Sequence, residues 1–196
     1  MNRVILVRHA QVSPQPEIPS DLWALSADGQ AGAAALASRP DIAAAEAVYT
    51  SPELKARLTA EALAGSRRVG VVEDLRELDR RALGWVGSEG AYASIVEEIL
   101  ARPEESVRSC ERAADATRRV VAAIGTLAAR HPTGTVVAVS HGIVLTLLIS
   151  AVLGLDRPSA SIWRSIRFPD VAVIEPEAGT IVEGFGAAVP GSLPPR

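Results

Sequence analysis

The 196-residue sequence predicts an α/β protein, a three-layer sandwich in which a mainly parallel sheet is flanked by helices. Three observations carry that expectation. Short β-branched runs alternate with longer stretches of helical spacing, the pattern of strands joined by helical crossovers. A hydrophobic share of 48% is enough for one packed domain spanning residues 1–196 and argues against general disorder. Residues suited to chemistry fall directly after the apolar runs, where open parallel sheets place their ligand crevice.

In chain order, Asn2 to Val7 holds four consecutive apolar residues and suits a strand buried on both faces. A polar, proline-rich loop runs from Gln11 to Ser20, and Ser26 is placed to cap an alanine-rich helix ending near Arg39-Pro40. Ala47 to Thr50 reads as a second strand. Ser51-Pro52 then offers a capping hydroxyl followed by proline at the first helical position. Val69 to Val72 is a third strand, leading into the charged segment Glu73 to Arg81. Two helical stretches follow, Ser88 to Ala101 and Glu104 to Arg130, separated by Pro103; the piece at about 82–114 is expected to form a small helical cap that shapes specificity. Thr135 to Val139 is an apolar strand and Gly142 to Leu153 a mostly buried helix. Val171 to Ile174 and Thr180 to Glu183 close the fold, readable as a hairpin through Glu177-Ala178-Gly179. The tail, Pro190 to Arg196, is expected to be mobile.

Bulk properties exclude several function classes. A formal net charge of -3 gives no general attraction to nucleic acid or to an anionic membrane, so neither is an expected partner. The longest apolar stretch, Gly142 to Leu155, falls short of the roughly 20 residues a membrane-spanning helix needs. The single cysteine, Cys110, can neither close a disulfide within the chain nor build a zinc cage alone, and its helical context suggests a packed thiol. The opening MNRVILVRHA has too short an apolar run for a signal peptide. A reducing cytoplasm is the expected compartment.

Two of the three histidines end strands: Arg8-His9 closes the first, and Ser140-His141-Gly142 closes a later one while opening a helix. The third, His131, precedes a proline at a helix end and reads as a cap or surface residue. Paired imidazoles among cations suit phosphoryl transfer. A neutral imidazole can attack phosphorus, and nearby positive charge from Arg8 and His141 offsets repulsion by the phosphate oxygens. Backbone N–H groups of Gly142 and Ile143, at a helix N-terminus, would add donors to the same anion. Glu77, a few residues past the third strand, is placed to protonate a leaving alcohol and then activate water, with Asp79 in reserve. Trp23, Trp85 and Trp163 read as core or rim packing.

Four segments carry a family resemblance: Val7-Arg8-His9-Ala10; Tyr49-Thr50-Ser51-Pro52 with Thr59-Ala60; Leu75-Arg76-Glu77; and Val139-Ser140-His141-Gly142. In this order they resemble the histidine phosphatase superfamily, which includes phosphoglycerate mutase, and they frame about two-thirds of the chain. The resemblance implies a phosphoglycerate mutase-like fold and His9 as the phosphorylated residue. It also implies Arg8 and His141 as phosphate ligands, Glu77 as proton donor, a small phosphorylated substrate, and no metal or other cofactor.

The second segment departs from the family pattern, which places arginine four residues after the serine; here that position is Lys55, with Arg57 nearby. Two residues apart is about 200° of helix rotation, so the two side chains face opposite ways. Arg57 sits at helical spacing from Glu53 and Glu61, an exposed charge ladder, whereas Lys55 shares its side with Ser51, Leu58 and Thr59. Lys55 is therefore the expected phosphate ligand. Lysine cannot grip phosphate bidentately, so catalysis weakens or a residue such as Arg80 compensates. Val12 and Gln15 also depart from the family's first loop, where Gln15 or Ser13 remain within reach of a phosphate.

The expected activity is phosphomonoester hydrolysis through a phosphohistidine on His9. The alternatives are a mutase-type phosphotransferase and a catalytically weak phosphate-binding module. A metal hydrolase built on His9, His141 and Glu77 is disfavoured by the arginine beside the imidazoles. No motif speaks to substrate identity or oligomeric state.

Overall fold

The computed structural model describes residues 2–186, so the tail expected to be mobile, Pro190 to Arg196, lies outside the described residues. Six strands form one sheet: β1 (Arg3–Arg8), β2 (Ala47–Thr50), β3 (Val69–Val71), β4 (Thr135–Ser140), β5 (Asp170–Glu175) and β6 (Thr180–Glu183). Their order is β3-β2-β4-β1-β5-β6. The first four run parallel, while β5 is antiparallel to β1 and β6 returns as a hairpin on β5. The mainly parallel sheet read from the sequence is thus present, with a two-stranded antiparallel edge.

Strand parity sorts the core into two layers. Val4, Leu6, Val136, Ala138, Ala172 and Ile174 point to one face, against helices α4 (Glu89–Ala101), α5 (Ala113–Arg130) and α6 (Gly142–Val152). Their neighbours Ile5, Val7, Val137, Val139, Val171 and Val173 point to the other face, against α1 (Ala27–Ala37) and α3 (Leu54–Ala64). This is what a period of two does to an unbroken apolar run when both faces are covered. Helix α6 is the most deeply set element, with every residue from Gly142 to Ser150 buried. Each large aliphatic side chain there contributes roughly 1.5–3 kcal/mol by leaving water. Among the described residues no helix is long and apolar enough to cross a membrane.

Several expected boundaries hold. Ser26 caps α1, its hydroxyl accepting the Gly29 N–H at 3.0 Å, and Ser88 caps α4 in the same way. Others need correction. The chain from Glu104 to Arg112 is not α-helical, and α5 begins at Ala113. Burying Val107 and Cys110 in the core bends this segment through one turn of 3-10 helix, with Arg108 and Ser109 both at positive φ. Glu111 then leaves the helical path to bind Asp79, accepting its N–H and donating to its carbonyl. Cys110 is accordingly a buried, packed thiol, but in a loop rather than in a helix.

Ser51 does not cap α3. The helix starts at Leu54 with Glu53 in the flanking position, and the Ser51 hydroxyl is used elsewhere. Two short helices escaped the sequence reading: α2 (Pro40–Ala43), which begins on the proline expected to end α1, and α7 (Ala160–Ser165), capped by Ser159.

Candidate active site

Neighbouring parallel strands in matched register bring the two histidines together. Arg8 of β1 lies opposite Ser140 of β4, and the His9 N–H donates to the Ser140 carbonyl at 3.0 Å. The residues that follow, His9 and His141, therefore leave the sheet side by side, both buried, with ring centroids 5.2 Å apart. His9 Nδ1 lies 2.8 Å from the carbonyl oxygen of Ala10. A carbonyl can only accept, so Nδ1 carries the hydrogen and Nε2 keeps the lone pair. The Ala10 N–H is held by the Thr59 hydroxyl at 3.0 Å, which ties the loop after β1 to α3.

Both rings are held neutral. Burial pushes the His9 imidazole well below the ordinary histidine range, protonation of His141 would push it further, and the charges of Arg8 and Lys55 push the same way. His141 is lowered likewise, by burial first and then by Lys55, Arg80 and Arg8. His141 Nε2 is 2.6 Å from the Ser51 hydroxyl, which also accepts the Glu53 N–H.

Cations surround the pair. Arg8 donates Nη1 to the Ile166 carbonyl at 2.5 Å and lies over the Phe168 ring, 3.3 Å from its centroid. Phe168 also faces His9, at 5.3 Å between centroids. Burial lowers the Arg8 guanidinium to about 10, against the pull of Glu77, Tyr92 and Asp170. Gly142 permits this packing, since a Cβ there would come within 3.1 Å of Arg8 Cζ. Asp170, buried at the start of β5, accepts the N–H groups of Arg167, Val171 and Gly186 and so fixes the loop carrying Phe168. Arg80 sits beside Tyr92, 5.1 Å from the ring centroid. Among the described residues, the buried side-chain nitrogens and oxygens without a hydrogen-bond partner are Arg8 Nε, Arg80 Nε and His141 Nδ1. All three belong to this cluster, and a buried donor left unpaired is costly unless something fills the space.

Lys55 is buried and Arg57 exposed, the division that helix rotation predicts. Lys55 Nζ donates to the Ser20 carbonyl at 2.7 Å and to Glu53 Oε2 at 2.5 Å. Glu53 needs correction: its side chain is only 12% exposed, so it is no rung of a solvated ladder. Its other oxygen accepts the Glu77 N–H at 2.8 Å and lies 3.5 Å from His141 Nε2.

Glu77 stands at the start of α6. Ser140 Oγ donates to the Leu75 carbonyl at 2.7 Å, pinning the charged loop to the end of β4. Glu77 Oε1 accepts from Val144 and Leu78, and Oε2 from Ile143 at 3.2 Å. The Ile143 N–H, expected at a phosphate, is thus taken by the carboxylate. Arg119 of α5 holds the loop from behind, donating to the carbonyls of Asp74, Arg76 and Glu77 and pairing with Glu111. The reserve acid, Asp79, is engaged by Arg81, whose hydrogen bonds hold its carboxyl below the usual range. Ser13 and Gln15 are exposed, and the Gln15 carbonyl accepts from the Trp23 indole. Trp163 packs edge-on against Tyr92, and Trp23 against Trp85. His131 flanks the end of α5, bonded to Tyr49 and Glu46.

Glu53, Arg119, Phe168 and Asp170 were not singled out from sequence as part of this site. None of the four carried a usable sequence signal: Glu53 shares helical spacing with Arg57 and Glu61, which reads as exposed, and the others act through tertiary contacts.

A family model described as histidine phosphatase superfamily (branch 1) matches residues 4–180. Among solved structures, a phosphoserine phosphatase mutant from Entamoeba histolytica superposes with a TM-score of 0.76 at 18% identity, covering 95% of this chain and 98% of that one. YhfR from Bacillus stearothermophilus gives 0.75 at 24% identity, covering 96% and 98%. A mycobacterial glucosyl-3-phosphoglycerate phosphatase gives 0.63 at 22% identity, covering 87% and 88%. No curated protein sequence matches this chain.

Proposed function

Because the chain belongs to the histidine phosphatase superfamily, we propose that it hydrolyses small phosphomonoesters in two steps through a phosphohistidine on His9. One observation carries the reading: the hydrogen bond from Nδ1 to the Ala10 carbonyl leaves Nε2 of a neutral, buried ring free to attack, among cations. The orphaned donors of Arg8 and Arg80, with His141 Nδ1 in the tautomer whose Nε2 accepts from the Ser51 hydroxyl, supply the hydrogen bonds that a tetrahedral anion needs. In the first step Nε2 forms a bond to phosphorus as the ester oxygen departs and takes a proton from Glu77. In the second, Glu77 removes a proton from water, which attacks the phosphohistidine and releases orthophosphate. Glu77 Oε2 has a single N–H partner, so it keeps a lone pair for the travelling proton. Lys55 and the start of α6 at Gly142 line the phosphoryl pocket, and the segment at about 82–114 shapes access to it. The single buried thiol, Cys110, fits a cytoplasmic setting.

A second reading has a specific observation in its favour. The Lys55–Glu53 contact draws on the lysine charge, which fits a phosphate-binding module of weak turnover. One experiment separates the two. Phosphoserine, 3-phosphoglycerate and a panel of sugar phosphates are incubated with wild type and His9→Ala, and rapid-quench samples are assayed for acid-labile, base-stable phosphoprotein. The hydrolase reading requires label and turnover in wild type alone. Equal turnover in both proteins removes His9 from the chemistry.

A further inference from the structure

Granted the phosphoryl pocket proposed above, we infer that Glu53 is a built-in counter-anion which an incoming phosphate must displace from Lys55. Lys55 is buried and has two partners, the Ser20 carbonyl and Glu53 Oε2, so much of its hydrogen-bonding capacity is already used within the chain. Glu53 reaches further into the site: Oε1 takes the Glu77 N–H and stands 3.5 Å from His141 Nε2. A carboxylate held by a buried lysine and a backbone N–H sits in the surroundings a phosphate oxygen would seek.

The same carboxylate has somewhere to go. A cavity of about 200 Å³ adjoins it, lined by Asp21, Leu22, Pro52, Glu53, Leu54 and Arg57. Arg57 is exposed, is four residues along α3, and has no carboxylate partner among the described residues. Because Glu53 and Arg57 line the same cavity, Arg57 is the natural partner for Glu53 once Lys55 is given up. Glu53 thus has two seats, Lys55 in the empty pocket and Arg57 in the filled one. Phosphate affinity is set by the difference between them. Glu53 acts here as a positioning residue through Lys55, and takes no part in the proton transfers assigned to Glu77.

Orthophosphate binding to the intact protein, measured by calorimetry, tests this without requiring turnover. Glu53→Gln keeps an oxygen for the Glu77 N–H but loses the charge, and it is expected to tighten orthophosphate binding by roughly ten- to a hundredfold, the worth of one charged hydrogen bond. Adding Lys55→Met to that variant removes the gain. Unchanged or weaker binding by Glu53→Gln overturns the proposal, and if that variant fails to fold, Glu53→Ala decides on the same criterion. A structure of wild type with orthovanadate gives a second readout: Glu53 turned to Arg57 supports the two seats, and Glu53 still on Lys55 overturns them. If wild type forms the phosphoenzyme but Glu53→Gln shows no gain, only the role of Glu53 falls. If no variant binds phosphate and no label forms, the hydrolase reading falls with it.

Discussion

The ends of β1 and β4 and the start of α3 bring side chains to one buried cluster in different ways. At the strand ends, His9 and His141 are set by backbone register, with Arg8 opposite Ser140 and a main-chain hydrogen bond between the two strands. At the start of α3, Lys55 and Glu53 are held by one another, by the Ser20 carbonyl and by the Glu77 N–H, through side-chain contacts rather than strand register. The first arrangement is rigid because moving it means breaking the sheet. The second is adjustable because moving it costs only a few side-chain contacts. In the proposed reaction, the fixed line of attack would draw on the first and control of phosphate affinity on the second.

Substitutions that strike the rigid region should therefore be the most severe. His9→Ala is expected to lower kcat by roughly 10³-fold or more and to abolish acid-labile label, measured by steady-state release of phosphate. Glu77→Gln should cost about 10²–10⁴ in kcat with a smaller change in KM, because the missing proton matters only in the transition state. Retained kcat in either variant would break the comparison at its stronger end.

The support behind Glu77 comes next. Arg119→Met leaves Glu111 with only Arg76 and the Asp79 N–H and frees three loop carbonyls; urea unfolding should show a loss of about 2 kcal/mol. The kcat should fall with it, since Glu77 loses its fixed seat on α6.

Acidity probes the two imidazoles together. His9 and His141 are lowered in the folded protein, so below the ordinary histidine value the unfolded chain binds more protons than the native one. Stability therefore rises with pH up to about 6.5 and is lost below it, by about 1.4 kcal/mol per pH unit for each ring. Thermal melts from pH 7 to 5 check the sign, and His9→Ala should halve that part of the slope. Smallest is Ser51→Ala, which removes one partner of His141 and should destabilise by about 1 kcal/mol in the same unfolding assay.

The division between rigid and adjustable also marks what the sequence could reveal. Strand ends were legible because an apolar run such as Val4 to Val7 announces both the strand and the point at which it stops. The choice of Lys55 over Arg57 was legible because helix rotation is fixed. Glu53 was misread because spacing alone cannot tell an exposed ladder from a carboxylate folded back onto a buried lysine. The stretch from Glu104 to Arg112 was misread for a related reason. Its composition suits a helix, but Val107 and Cys110 fill the core and Glu111 binds Asp79 only through a tertiary path that local propensity cannot see. Asp170 and Arg119 lay beyond reach altogether, because Asp170 binds only backbone N–H groups and Arg119 binds three loop carbonyls together with Glu111, which reaches it only through the non-α-helical turn before α5.

One contact has a bearing on how the protein tolerates mutation. The acceptor that fixes the His9 tautomer is the carbonyl of Ala10, part of the main chain itself. Every amino acid brings the same oxygen to that place, so no substitution at position 10 deletes the acceptor itself. Drift at position 10 can crowd the neighbourhood, yet the proton on Nδ1 keeps its resting place. The chain has thereby put its most sensitive alignment where heredity has the least power to erase it.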